Sequence, residues 1–163
     1  DGFDCVIRTG ALPEDGVIAR PLGKLTMVNC ASPHYLTRFG YPQSPDDLTS
    51  HAIVRYTPHL GVHPLGFEVA SVNGVQWFKS GSMLTVNSSE NYLAAGLAGL
   101  GIIQIPRIAV REALRAGRLI EVLPGYRAEP LSLSLVYPQR RELSRRVNLF
   151  MQWLAGVMKE YLD

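Results

Sequence analysis

Residues 87–117 alternate helical and extended patterns within one short stretch, and this alternation restricts the fold more than any other feature of the sequence. Asn87-Ser88-Ser89-Glu90 fits a helix capping box, in which Asn87 covers a free backbone N–H and Glu90 reaches back to the cap. The helix continues through Tyr92-Leu93-Ala94-Ala95-Gly96-Leu97-Ala98 and stops at Gly99 or Gly101. Residues 101–105 read as a buried strand that Pro106 terminates, and residues 108–116 as an amphipathic helix closed by Gly117. Strand and helix mix in this way along the chain, with both alternating and continuous apolar runs. The class is α/β.

The remaining elements follow from the same signals. Strands are predicted at 5–8, 17–20, 25–31, 53–56, 83–86, 119–123 and 131–137. Asn73-Gly74 joins strands 67–72 and 75–79 as a tight hairpin. Ser32-Pro33 opens a short helix that Gly40 ends, and Ser44-Pro45 opens another. The last helix is capped by Ser144 and carries one apolar stripe, Val147, Phe150, Leu154, Val157 and Tyr161, which must pack on something. Within the chain the opening strand is its obvious partner.

Hydrophobic residues form 47% of the chain and charged ones 18%, which excludes a disordered or fibrous protein. A net charge of +2 is too small to make nucleic acid or an acidic membrane the obvious partner. Cys5 and Cys30 lie in apolar stretches without disulfide or zinc spacing and are expected as buried thiols, which favours a reducing cytoplasm. No apolar run approaches the length of a membrane span. No cofactor is implied. There is no nucleophile elbow, phosphate loop or metal-ligand set, and the spacing of Gly96, Gly99 and Gly101 is not that of a dinucleotide site. An enzyme is not expected.

Five segments, in order, resemble one family. Asp4-Cys5-Val6-Ile7-Arg8-Thr9-Gly10 is similar to the D-x-A-I-R-x-G strand of LysR-type effector-binding domains, and Cys30-Ala31-Ser32-Pro33-His34-Tyr35-Leu36 to their C-A-S-P-x-Y-L segment. Pro45-Asp46-Asp47-Leu48-Thr49-Ser50-His51 resembles P-x-D-L-x-x-H. Leu97-Ala98-Gly99-Leu100-Gly101-Ile102, with Ile105-Pro106, resembles A-G-L-G-I-x-x-L-P, and Tyr137-Pro138-Gln139-Arg140-Arg141-Glu142-Leu143-Ser144 resembles Y-P-x-R-R-x-L-S. Two departures are mild: Arg145 stands where many members have proline, and Cys5 replaces a common leucine.

The resemblance implies a fold like the type 2 periplasmic binding proteins, two lobes joined by crossover strands, with a small-molecule effector in the cleft. Residues 1–24 and 132–163 would form the first lobe and 25–131 the second. The family's opening strand–helix units and its winged helix-turn-helix DNA-binding domain are not in this sequence, so the first lobe is expected to be incomplete. The implied protein is a cytoplasmic transcription regulator, acting as a homodimer or tetramer and contacting DNA only through that other domain. A free-standing solute-binding protein of the same fold is the alternative.

Candidate effector contacts come from strand and helix ends. Open α/β sheets bind ligands at the carboxyl ends of strands, where Arg8 could pair a carboxylate and Thr9 hydrogen-bond it; a structural ion pair and a closed turn are the plainer readings. Asn87, Ser88 and Ser89 start a helix, whose free N–H groups attract anions. Plain capping would explain them as well, and Glu90 would oppose an anion. By resemblance this helix start faces the cleft, and Ile105 and Pro106 would supply an apolar wall. Arg8 and the polar groups favour a small carboxylate or amino-acid-like effector. Tyr56 and the following loop could shape a rim. His59 and His63 have a metal-like spacing but lie in a Gly- and Pro-containing loop. Arg140, Arg141, Arg145 and Arg146 are read as a solvated face, and Trp77 and Trp153 as core or interface.

Overall fold

The computed structural model describes residues 3–10, 16–57, 66–139 and 143–162. In chain order the first elements are β1 (Val6–Thr9), β2 (Val17–Leu25), β3 (Met27–Ala31), α1 (Pro33–Phe39), a 3-10 turn at Pro45–Ser50, β4 (Ala52–Tyr56), β5 (Phe67–Ser71) and β6 (Gly74–Phe78). There follow β7 (Gly81–Val86), α2 (Ser89–Leu97), β8 (Ile103–Pro106), α3 (Arg107–Arg115), β9 (Ile120–Glu121), β10 (Leu131–Pro138) and α4 (Arg145–Met158). The chain divides into two compact units, Asp1–Thr26 with Pro130–Asp163, and Met27–Glu129.

The first unit holds one antiparallel sheet in the order β1-β10-β2, together with α4. Strand β2 runs five residues beyond its expected end at Arg20, through Pro21 and Gly23. It lies at the sheet edge, where a proline without an N–H is tolerated, and a register shift opposite Leu133 and Ser134 absorbs the irregularity.

The second unit contains most of the described core. Its three-stranded sheet has the order β8-β3-β9, beside the parallel pair β4–β7 and the hairpin β5–β6 at Asn73-Gly74. One apolar cluster joins Val28, Val54, Ile103, Val110 and Leu119, and a second joins Tyr35, Leu36, Leu48, Phe67 and Ile102. Ser32 caps α1 by accepting the Tyr35 N–H, and Ser144 caps α4 by accepting the Val147 N–H. At α2 the cap is Ser88, accepting the Asn91 N–H at 3.3 Å, one residue later than the box on Asn87 predicts. Glu90 accepts the Ser88 hydroxyl proton at 2.6 Å in place of a bond back to Asn87.

Two glycines make the α2–β8 connection close-packed. A Cβ on Gly101, at φ +157°, would meet the Ala52 carbonyl oxygen at 2.6 Å, and one on Gly96 would meet Ile103 at the same distance. The glycines thereby let α2 and β8 approach neighbouring chain that any side chain would displace.

Candidate functional site

Charged and polar residues interrupt apolar strands of the second unit at two places, Arg55 within Ile53-Val54-Arg55-Tyr56 and Gln104 within Ile102-Ile103-Gln104-Ile105. Buried strands admit such residues only when their polar atoms find partners. Gln104 finds them all. Its Oε1 accepts the Glu68 N–H at 2.9 Å, and its Nε2 donates to the Glu68 carbonyl at 2.8 Å and to Asn29 Oδ1 at 2.9 Å. The Gln104 backbone N–H donates to the Tyr92 hydroxyl at 2.8 Å. Fully buried Asn29 continues the network, donating to the carbonyls of Leu123 and Tyr126 at 3.2 and 2.8 Å. These bonds fasten β3, β5, β8 and α2 to the turn that contains Leu123, the one described non-glycine residue with positive φ (47°).

Above this network lies a cavity of about 220 Å³ within the second unit, with Arg55, Tyr56, Glu68, Trp77, Tyr92 and Gln104 in its wall. The rings of Tyr56 and Tyr92 are 5.8 Å apart and tilted by 51°. Burial pushes the Tyr92 phenol far above its ordinary range, partly opposed by the Gln104 N–H, so this hydroxyl stays a neutral donor and acceptor. Cavities of this kind, with aromatic walls and a few fixed polar groups, suit small organic ligands.

None of the seven residues singled out from the sequence lines the cavity. Arg8 and Thr9 sit exposed on β1, opposite Ser134 and Leu133 of β10. Asn87 and Ser89 are exposed beside the Ser88 cap. The Ser88 hydroxyl holds the Glu90 carboxyl below the usual carboxylate range, placing a negative charge in the first turn of α2. Ile105 packs in the core against α3 and β3 neighbours, and Pro106 ends β8 and leads directly into α3. Two other expectations change. Trp77 is 45% exposed and Trp153 61% exposed, so of the two readings, core or interface, the core one does not hold. Cys5 is half-exposed, whereas Cys30 is fully buried, its thiol pushed up to about 12 by burial and then by the charge of Glu121. His59, His63, Arg140 and Arg141 lie outside the described residues; Arg145 and Arg146 are exposed.

The sequence model for the LysR substrate binding domain matches residues 1–159. The chain belongs to the LysR substrate-binding domain family. It is 99% identical over 163 residues to the HTH-type transcriptional regulator YhjC of Escherichia coli (strain K12), an alignment covering 100% of this chain and 54% of that protein. It is 35% identical over 147 residues to an HTH-type transcriptional regulator of Haemophilus influenzae, covering 90% of this chain and 50% of that protein. The chain thus spans about half the length of the curated relatives it matches. Among solved structures it is similar to the regulatory domain of CrgA, a LysR-type transcriptional regulator from Neisseria meningitidis. The TM-score is 0.81 at 26% identity, over 94% of this chain and 74% of that one. The fold is accordingly α/β and periplasmic-binding-protein-like.

Within this LysR-family domain the recurrent segments have structural work. Tyr35 of the Ser32-Pro33 segment and His51 of the Pro45–His51 segment meet through a 3.0 Å bond between the phenol oxygen and Nδ1. The same phenol accepts the Ala52 N–H at 2.9 Å. Asp47 accepts the N–H groups of Gln43 and Ser44, which hold its carboxyl below the usual range. Tyr56, expected at a pocket rim, is in the cavity wall; the other cavity residues escape the motif reading because they come from five separate elements, and the usable signal is the polar residue inside each apolar strand.

Proposed function

We propose that this chain is the ligand-sensing regulatory part of a LysR-type transcription factor, and the observation that carries the reading is the family match over residues 1–159. In this reading residues 1–24 with 132–163 and residues 25–131 act as two lobes, and a small-molecule effector is taken up in the cleft between them. Arg8, Thr9, Asn87, Ser88, Ser89, Ile105 and Pro106 are its proposed contacts, with a carboxylate preferred because Arg8 is a cation with no side-chain partner among the described residues. Effector binding shifts the population between two arrangements of a homodimer or tetramer, and DNA is contacted through a separate helix-turn-helix domain. Support for the last point is that both relatives named above are HTH-type regulators about twice the length of the matched region. That also disfavours the free-standing solute-binding protein. The setting proposed is the cytoplasm, with no enzymatic step and no cofactor; no helix among the described residues is long and apolar enough to cross a membrane.

The test is a two-part screen. Thermal stability of the chain is measured against metabolite classes, and promoter binding by the full-length Escherichia coli relative is measured with the compounds that stabilise it. A compound that raises the midpoint and changes DNA affinity supports the reading. If no class does either, the sensor reading fails. Thr9→Ala and Ser88→Ala should weaken the ligand response without unfolding the domain, and an unchanged response in both removes them from the site.

A further inference from the structure

We infer that the cavity inside the second unit is a binding site for a zwitterion, a free α-amino acid with an apolar or aromatic side chain, held by its carboxylate at Arg55 and its ammonium group at Glu68. This goes one step beyond the sensor reading and rests on it, since it supplies a ligand class and a site that reading does not contain.

The first observation is a pair of opposite charges in one cavity wall that do not satisfy each other. Arg55 and Glu68 both line the cavity, yet neither forms an ion pair with any described residue. Other charges of this unit do pair: Glu121 binds both Arg107 and Arg127, at 2.8 and 2.6 Å. Among the described residues the Arg55 guanidinium has a single long contact, 3.4 Å from Nη2 to the Ser80 carbonyl, and its Nε is shielded from water with no acceptor there. A half-buried cation so poorly compensated gains from an anion at its outer nitrogens, because the local dielectric is lower than that of water. Among the described residues the Glu68 side chain accepts one bond, from the Glu129 N–H at 3.0 Å, and meets no cation. A simple carboxylate would answer Arg55 and leave Glu68 facing a like charge. A ligand carrying both charges answers both residues.

The second observation is that Glu68 is held in place. Gln104 grips its backbone at both the N–H and the carbonyl, and Asn29 fixes Gln104 in turn. Gln104 is therefore a positioning residue, its own side-chain groups already occupied. With its backbone gripped by Gln104 and its carboxylate bonded by the Glu129 N–H, Glu68 costs less to order when a ligand arrives.

The third is the wall between the charges. Tyr56, Trp77 and Tyr92 present aromatic surface, and the Tyr92 hydroxyl, which accepts from Gln104, has no acceptor for its own proton among the described residues. A cavity of about 150 Å³ admits a benzene ring, so about 220 Å³ suits an amino acid with an apolar or aromatic side chain.

Titration calorimetry of the chain, and of the full-length Escherichia coli relative, with the standard amino acids tests this. At least one apolar or aromatic amino acid should bind. N-acetylation, which removes the ammonium charge, and amidation, which removes the carboxylate, should each weaken binding about tenfold or more, the scale of one charged hydrogen bond. Glu68→Gln should weaken the parent amino acid but leave the N-acetyl derivative's affinity unchanged, and Arg55→Gln should do the same for the amide. Circular dichroism checks that both variants fold, and the derivatives test the idea on the unmodified protein in any case. If no amino acid binds, or if the derivatives bind as well as the parent, the inference is wrong. Should another metabolite class stabilise the chain while no amino acid does, the inference fails and the sensor reading stands; should nothing bind and DNA affinity never respond, both fail.

Discussion

Both units of this chain join strands to at least one amphipathic helix, but they bury them very differently. In Met27–Glu129 two apolar clusters fill the interior, helices α1, α2 and α3 each contribute buried residues, and a polar network ties strands to a turn. In the other unit every residue of β1 is exposed, and of the fourteen residues in α4 only Met151 is buried. Leu149, Phe150, Trp153 and Val157 all face outward on that helix. Within this chain the stripe expected to bury a whole helix face is only partly covered: Phe150, Val157 and Tyr161 are exposed, and Val147 and Leu154 are half-buried. Periodicity shows that a face wants burial; it does not show what covers it.

The contrast makes graded predictions. Ile103→Ala should cost about 2–5 kcal/mol, because it empties a fully buried site between β3 and Gly96; urea denaturation measures it, and a cost under about 1 kcal/mol would mean that the second unit is less tightly packed than its burial indicates. Asn29→Ala should cost about 1–3 kcal/mol, since it strips partners from Gln104 and from the carbonyls of Leu123 and Tyr126. Native-state hydrogen exchange should divide the molecule along the same line, with amides of β3 and β8 exchanging far more slowly than those of α4. Equal protection in the two would erase the distinction.

A pH effect is expected in the second unit. Burial lowers the His51 pKa below its ordinary value near 6.5, with Asp47 partly opposing. As pH falls below about 6.5 the unfolded chain takes up this proton before the folded one does. The stability contribution is therefore complete above that pH and declines as pH falls through the folded value. Thermal midpoints between pH 7.5 and 5.5 should drop, and His51→Gln should flatten the slope. The smallest effect is expected at the bare face: Trp153→Ser should change unfolding free energy by no more than about 0.5 kcal/mol, because this ring is 61% exposed. A loss comparable to that of Ile103→Ala would show that α4 is covered after all.

The legibility of the sequence followed the range of the interactions. The hairpin at Asn73-Gly74, the Ser32 and Ser144 caps and the strand ending at Pro106 depend on neighbours a few residues away, and the structure has them where expected. The cap falls one residue after Asn87 because Asn87 and Ser88 both carry capping side chains, and local rules do not rank adjacent candidates. Strand β2 extends past its expected end at Arg20 because pairing with β10 carries the edge strand through Pro21 and Gly23.

By itself, the sequence determined the mixed α/β class, the positions of most elements and, through five ordered segments, the family. Each depends on backbone preferences or on residue patterns along the chain. Only the tertiary structure decided which apolar faces are buried, and that Arg55, Glu68, Tyr92 and Gln104 share one cavity. Those four come from β4, β5, α2 and β8, and chain spacing carries no information about residues that meet only when separate elements pack together.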